Sequence, residues 1–85
     1  MEEEIGRITH YFSRLGVGVV ELVAGELRVG DTIHIKGHTT DFYQKVESMQ
    51  VEHQQVTVAK KGDSIGLKVI DQVREHDKVF RVSED

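Results

Sequence analysis

The 85-residue chain contains no cysteine, no proline and no tryptophan. Without cysteine there is no disulfide framework, no thiolate-ligated metal and no cysteine nucleophile, and nothing in the composition indicates an oxidising compartment. Glycine is well represented, with eight residues among many valines and isoleucines. That composition suits short strands joined by tight turns.

Several other features are missing as well. No apolar run reaches the roughly 18 residues of a membrane-spanning helix, and the acidic start Met1-Glu2-Glu3-Glu4 is unlike a basic secretory leader. We therefore expect a cytoplasmic protein with no membrane partner. A net charge of −4 argues against a strongly basic nucleic-acid-binding surface, although it leaves room for local basic patches.

Two catalytic motifs are also absent. There is no Gly-x-x-x-x-Gly-Lys-(Ser/Thr) sequence, so no bound nucleotide is expected. There is no Gly-x-Ser-x-Gly sequence around any serine, and so small a domain offers little enclosed pocket. We expect a protein that is not an enzyme and that carries no cofactor.

The most readable segment is residues 30–37. Gly30-Asp31 is a strong turn dipeptide, because glycine tolerates positive φ and aspartate bonds to nearby backbone. Residues 32–36 then alternate polar and apolar, which predicts a half-buried strand with Ile33 and Ile35 inward and His34 among the outward residues. Glycine closes this strand, and the Gly-Asp dipeptide recurs at residues 62–63.

Further strands are predicted along the rest of the chain. They fall at residues 5–12, 17–23, 64–70 and 78–82, and the near-continuous apolar character of residues 17–23 suggests burial on both faces. One segment is ambiguous. Residues 42–56 carry apolar groups at a helical spacing with Asp41 as a possible N-cap, so pattern alone favours a helix about as often as a strand.

Turns every 8–12 residues and short alternating segments indicate an all-β protein. We predict a small closed antiparallel β-barrel of about six or seven strands, since closure removes exposed sheet edges in a chain this short. Residues 1–85 form one domain in this interpretation, with the barrel over about residues 5–82. Residues 1–4 are expected to be a disordered acidic tail.

The histidines, five in number, raise the question of a metal site. His34 and His38 flank Gly37 and could approach each other, but a zinc site needs three or four convergent ligands. Without such clustering we favour solvent-facing histidines on strands and no metal.

Surface residues that could bind a partner occur in two places. Tyr11 and Phe12 alternate across a strand beside His10, Arg7 and Arg14, and aromatics flanked by cations suit stacking of single-stranded nucleic acid. The simpler interpretation places Phe12 in the core and Tyr11 on the strand face. Lys60 and Lys61, with Lys36 and Lys45, suggest a phosphate-binding patch, although a lysine pair in a turn is more often only solvated.

Several motifs, taken in order, resemble the second domain of translational GTPases such as elongation factor Tu. The matching segments are residues 16–22 (GVGVVEL), 25–35 (GELRVGDTIHI), 46–49 (VESM), 59–67 (AKKGDSIGL) and 73–79 (VREHDKV). The resemblance covers nearly the whole chain, from about residue 6 to residue 82. As a free-standing barrel it is similar to small translation elongation factor-like proteins.

The resemblance implies a strand rather than a helix in residues 42–55. It also implies a surface that holds the aminoacylated 3′ end of tRNA, with Gln50 and Ser64 near the pocket and His10 and Tyr11 near its aromatic wall. Gln50 stands where the family usually has glutamate, and His76 stands where it has glycine.

Two functions from different classes follow. The first is a non-catalytic β-barrel module that binds tRNA, the ribosome or a translation protein. Its candidate residues are Arg7, His10, Tyr11, Arg14, Gln50, Lys60, Lys61 and Ser64. The alternative is a protein–protein accessory domain that works beside a separate enzyme, such as the barrel appended to some peptidases and modification enzymes.

Overall fold

The structure is a computed structural model that describes residues 1–83. Within those residues all regular structure is β-strand. The strands are β1 (Glu2–Phe12), β2 (Val17–Leu22), β3 (Glu26–Arg28), β4 (Thr32–Lys36), β5 (Asp41–Lys45), β6 (Met49–Val51), β7 (Gln54–Val56), β8 (Val58–Lys60), β9 (Ser64–Lys68) and β10 (Lys78–Val82). In this part of the chain no helix is long and apolar enough to cross a membrane.

Eight strands form one antiparallel sheet in the order β5-β4-β10-β1-β2-β9-β6-β7, and β3 pairs with β8 in a second sheet. The all-β prediction is confirmed. The closed barrel is not, because no strand pairing joins β5 to β7 within residues 1–83. The side chain of Gln44 on β5 nevertheless reaches across to the far part of the sheet. Its Nε2 donates to the carbonyl of Lys68, 2.8 Å away, and its Oε1 accepts from the backbone N–H of Ile70 at 2.8 Å.

One hydrophobic core lies on the inner face of the sheet. Ile33 and Ile35 belong to it, as predicted, and neither is accessible to solvent. The buried core side chains are Ile5, Ile8, Val20, Leu22, Leu27, Ile33, Ile35, Val46, Met49, Ala59, Ile65, Leu67, Val73 and Val79. β1, β2, β4, β9 and β10 contribute to this core, because each alternates inward apolar residues with outward ones, whereas β5 adds only the partly buried Phe42.

Two irregularities in β1 change which of its side chains face the core. Pairing with β10 shifts between Glu4 and Gly6, and pairing with β2 shifts between Ile8 and His10. A bulge adds one residue to a strand and so reverses the alternation beyond it. Tyr11 therefore packs against the core while Phe12 is 49% exposed. The interpretation that placed Phe12 in the core is wrong.

The ambiguous segment forms strands. β5, β6 and β7 occupy it. Val46, in the link between β5 and β6, and Met49, the first residue of β6, belong to the buried core. β6 and β7 make a hairpin whose two-residue turn has positive φ at Glu52 (51°) and His53 (67°). Positive φ at both central residues is the geometry of a type I′ turn, which suits the twist of a hairpin.

The chain uses one turn geometry three times, at residues 28–31, 60–63 and 74–77. In each, the carboxylate of the last residue accepts the backbone N–H of the first, at 2.8 to 2.9 Å. The third residue has positive φ in all three: Gly30 (98°), Gly62 (96°) and His76 (77°). Position three of a type II turn requires positive φ, so His76 adopts the conformation that glycine has elsewhere.

The acidic start of the chain lies in a strand rather than in the disordered tail that the sequence suggested. Glu2, Glu3 and Glu4 begin β1 and pair with Val82, Arg81 and Phe80 of β10. The amino group of Met1 also donates to the carbonyl of Ser83, 2.8 Å away. The start of the chain thus forms part of the sheet.

Candidate functional site

The outer face of β1, β2, β9 and β6 carries an apolar groove. Cross-strand pairing aligns Val19 with Gly66, and Gly66 with Gln50. Phe12 pairs with Val17 in the next outward row. We call the surface formed by Phe12, Leu15, Val17, Val19, Gln50 and Gly66 the outer-face groove; Ser64, Glu52 and His53 line its polar margin.

The floor of the outer-face groove is low because Gly66 has no side chain. A Cβ built on Gly66 would sit 3.6 Å from Cγ1 of Val17, an ordinary van der Waals contact. The neighbouring backbone therefore does not require glycine at this position. Glycine leaves an opening that is walled by Val17 and Val19 on one side and by Gln50 on the other.

Large apolar side chains at the groove are exposed. Leu15 is 65% exposed and Phe12 is 49% exposed, while Val17 and Val19 are half-buried. The prediction that residues 17–23 are buried on both faces is wrong: β2 alternates, and only its inner residues are covered. The apolar outer face of a central strand is unusual for a surface in contact with water alone and typical of one that a partner covers.

The two arginines among the predicted binding residues lie at opposite ends of the β1–β2 hairpin. Arg7 lies near one end, where its guanidinium is 2.8 Å from the carboxylate of Glu21. Arg14 lies in the turn at the other end, beside Phe12 and Leu15. At about 3.3 Å per strand residue, the hairpin separates the two arginines by more than about 15 Å. They do not converge.

The remaining candidates fall in three positions. Gln50 and Ser64 both border the outer-face groove. The ring of His10 stacks on that of Phe12 with centroids 6.3 Å apart, whereas Tyr11 turns inward. Lys60 and Lys61 lie apart from the groove, at the turn between β8 and β9. Lys60 stands opposite Glu26 in the backbone pairing of β8 with β3. Contact with tRNA or a ribosome stays a prediction that this placement does not test.

A second feature lies on β4. His34 was expected to face solvent, but it is 7% exposed. Its ring stacks on Tyr43 with centroids 4.0 Å apart, and Phe80 lies at 5.9 Å. Nδ1 is 2.7 Å from Oε1 of Glu2, and Nε2 is 2.5 Å from Oδ1 of Asp41. We call His34, Glu2, Asp41 and Tyr43 the His34 cluster.

The electrostatics of this cluster favour the charged forms of His34, Glu2 and Asp41 and the neutral form of Tyr43. Burial by itself lowers the pKa of His34, but hydrogen bonds and charges from Glu2 and Asp41 outweigh it and leave the pKa raised. The hydrogen bond with His34 lowers the pKa of Glu2 and of Asp41. The hydroxyl of Tyr43 donates to Oε2 of Glu2 at 2.7 Å, and this bond raises the pKa of Tyr43.

Such a histidine binds carboxylates but does not act as a general base. Each ring nitrogen already faces a carboxylate oxygen, and both nitrogens are donors only in the imidazolium form. Among residues 1–83 no three histidine or acidic side chains are arranged to bind a metal ion. The arrangement fixes three strands to one another: Glu2 is on β1, His34 on β4 and Asp41 on β5.

Sequence reasoning missed both features for identifiable reasons. The sequence predicted that the outward apolar side chains of β2 would be buried, although they are only half-buried. A run of apolar residues does not show whether the outer face of a strand is covered. His34 occupied an outward slot and so read as solvated. Its acidic partners are 32 and 7 positions away in the chain, a spacing that carries no local signal.

Two longer proteins that resemble this chain in sequence are named as a protease and a collagenase. No family model matches the chain. An uncharacterized protease of Methanocaldococcus jannaschii is 42% identical over 82 residues, which are 95% of this chain and 20% of that protein. A collagenase of Porphyromonas gingivalis is 46% identical over 78 residues, which are 91% of this chain and 22% of that protein. The chain therefore spans about a fifth of the length of the curated relatives it matches.

Solved structures agree on the fold. The C-terminal domain of a Geobacillus thermoleovorans protein described as a U32 peptidase superimposes with a TM-score of 0.88 at 19% identity, over 95% of this chain and 93% of that one. A selenomethionine variant of the same domain gives 0.85. At this identity the likeness concerns fold alone.

These findings overturn the resemblance to translational GTPases and, with it, the predicted translation-related function. The shared Gly-Asp turns explain the error, since similar turn chemistry arises wherever short antiparallel strands are joined tightly. What the relatives share with this chain is one segment of much longer proteins that are named as proteases.

Proposed function

We propose that this chain is a non-catalytic accessory domain that packs against the catalytic region of a peptidase. The observation that carries the proposal is the coverage: the match spans 95% of this chain but only 20% of a protease, and 91% of this chain but only 22% of a collagenase. The activities named for those relatives then belong to the remaining four-fifths of their length. This is the alternative function that the sequence already offered.

The outer-face groove is the surface through which the domain packs. Its exposed phenylalanine and its half-buried valines lie on the same face of β1 and β2, and its exposed leucine lies in the turn between these strands. Complete burial of an exposed apolar side chain of this size contributes about 1.5–3 kcal/mol of favourable free energy. An apolar partner surface would therefore bind more favourably at this groove than at a polar part of the domain. The bare floor at Gly66 admits one apolar side chain from that partner, and Gln50 and Ser64 supply polar groups at its margin.

The His34 cluster is consistent with a non-catalytic role. A peptidase that uses a histidine as general base needs one ring nitrogen directed at the nucleophile or water. In this chain both nitrogens of His34 face carboxylates at 2.7 and 2.5 Å. We assign the cluster to structure, not to peptide hydrolysis.

Binding in trans tests the proposal. The probe is the Porphyromonas gingivalis collagenase from which the 78-residue matching segment has been deleted, and calorimetric titration measures its affinity for this chain. We expect saturable binding. Leu15→Ser and Phe12→Ser each remove apolar burial from the interface and are expected to weaken the affinity at least about tenfold.

Val29→Ser is the matched control, because Val29 is 41% exposed but lies outside the groove, in the turn before β4. It is expected to leave the affinity unchanged. The matching segment of the collagenase itself, added in trans, verifies that the deleted protein can bind. If that segment binds and this chain does not, or if the control weakens binding as much as the groove variants, the proposal fails.

We further infer that the large sheet curls into a barrel in which Gln44 spans the gap between its two ends. Support comes from its bonds to the carbonyl of Lys68 and the amide of Ile70, and from Phe42 of β5, which packs against the core that the other large strands share.

A further inference from the structure

The His34 cluster joins strands that are not neighbours. In the sheet, β10 lies between β1 and β4, so Glu2 and His34 reach each other across an intervening strand. The two nitrogens of His34 extend this link to Asp41 on β5. Side-chain bonds therefore attach the start of β1 to β4 and β5 at the edge of the sheet, in addition to the backbone hydrogen bonds between β1 and β10.

This link depends on one proton. A neutral imidazole has one donor nitrogen and one acceptor nitrogen, and an ionised carboxylate has acceptors only. Neutral His34 would thus satisfy one carboxylate and present a lone pair to the other. Two carboxylates would then face a buried ring without charge, and one of them would meet a nitrogen lone pair, which is a repulsive arrangement.

We propose that the His34 cluster is a protonation-dependent latch that holds residues 2–4 on the sheet while His34 is an imidazolium and releases them when it is neutral. The proposal does not depend on the accessory-domain function. It assigns a regulated conformational step to the start of β1, whose Glu2, Glu3 and Glu4 otherwise pair only with β10.

Charged groups from each packed element determine the direction of the pH effect. Glu2 of β1 and Asp41 of β5 face the ring directly, and Tyr43 of β5 bonds to Glu2. Lys36 of β4 acts on Asp41, and the amino terminus acts on Glu2. From β10 the aromatic ring of Phe80 contacts His34, and it carries no charge.

The pKa directions define a window with two limits. His34 has a pKa raised above 6.5, so its contribution is fully present below about pH 6.5 and is lost as the pH rises through the folded value. Glu2 and Asp41 have pKa values lowered from 4.5 and 3.8, so their contributions are present above those values and lost on acidification. The latch is closed in mildly acidic solution and opens as the pH rises through the folded pKa of His34.

Nuclear magnetic resonance of the histidine side chains tests the first half of the proposal. We expect His34 to titrate at a higher pH than 6.5, the ordinary value for histidine. In Glu2→Gln, which keeps the shape of the side chain but removes its charge, the midpoint of His34 falls towards that ordinary value.

Hydrogen exchange tests the second half. We expect the protection of the amides of residues 3–5, corrected for intrinsic exchange, to fall as the pH passes the midpoint of His34. Each pH unit by which that midpoint exceeds 6.5 corresponds to about tenfold in the opening equilibrium. Amides of β9 and β2 in the same spectra report whether the whole domain has unfolded instead.

Tyr43→Phe is the matched control, since it removes a hydroxyl from Glu2 but keeps the ring on His34. It is expected to preserve a raised midpoint for His34 and the pH-dependent protection. The proposal is overturned if His34 titrates at or below its ordinary value of 6.5, if Glu2→Gln leaves its midpoint in place, or if protection of residues 3–5 is constant across that midpoint.

Discussion

Replacing His76 by glycine should stabilise the protein. His76 has a φ of 77° at the turn position where Gly30 and Gly62 have 98° and 96°. Left-handed backbone costs an ordinary residue about 1–2 kcal/mol, whereas glycine adopts it without that cost. The greater freedom of glycine in the unfolded chain removes about 0.5–1 kcal/mol of the gain. The net expectation is about 0.5–1 kcal/mol of added stability.

Denaturant unfolding at fixed pH measures this change, and thermal unfolding should shift upward by about 2–8 °C for a domain of this size. Glu75→Gly is the matched control. Glu75 precedes His76 in the same turn and does not have a positive φ, so glycine at position 75 is expected to destabilise the protein slightly. Gly62→Ala tests the reverse, because a Cβ at that position meets nothing within 4 Å and only backbone strain opposes it. If His76→Gly is no more stable than the parent chain, the turn assignment at residues 74–77 is refuted.

Three further substitutions test the packing. Gly37→Ala would make a Cβ collide with Oδ1 of Asp77, so the carboxylate that holds the third turn must move. We expect a loss of about 1.5–3 kcal/mol in denaturant unfolding. The control Gly66→Ala, whose Cβ would make only ordinary contacts, is expected to cost less than about 1 kcal/mol. Gln44→Leu removes the hydrogen-bond partners of the Lys68 carbonyl and the Ile70 amide. Denaturant unfolding is expected to show a loss of about 1–3 kcal/mol for each of these groups that stays buried. Leu27→Ala deletes a fully buried side chain between the two sheets and should cost about 2–5 kcal/mol; a loss below 1 kcal/mol would contradict its place in the core.

Local chemistry accounts for what the sequence predicted well. The Gly-Asp turns and the alternation around Ile33 and Ile35 depend on neighbours within a few positions, and the structure has them as expected. The first strand is different, because its two bulges reverse the alternation and place Tyr11 inward and Phe12 outward. A bulge depends on pairing with strands that are distant in sequence, so the pattern of β1 alone does not reveal it.

The candidate site was predicted less well than the fold. Gln50 and Ser64 do border one groove, but the apolar side chains that form most of it were assigned to turns or to the core. Exposure of an apolar strand face becomes visible only when the whole sheet is assembled. Motif resemblance added the wrong family, because turn chemistry is common to many small β-folds while the relatives share identity along almost the entire chain.

Calorimetry of a chimera tests the central proposal most directly. In the Porphyromonas gingivalis collagenase, this chain would replace the matching segment, to which it is 46% identical. If the domain packs on the catalytic region, the chimera unfolds in one transition above the melting temperature of the isolated chain. In the chimera that carries both Leu15→Ser and Phe12→Ser, we expect two transitions, one for this domain and one for the rest of the protein. A domain that melts in the chimera at the temperature of the isolated chain, with or without those substitutions, would contradict the account.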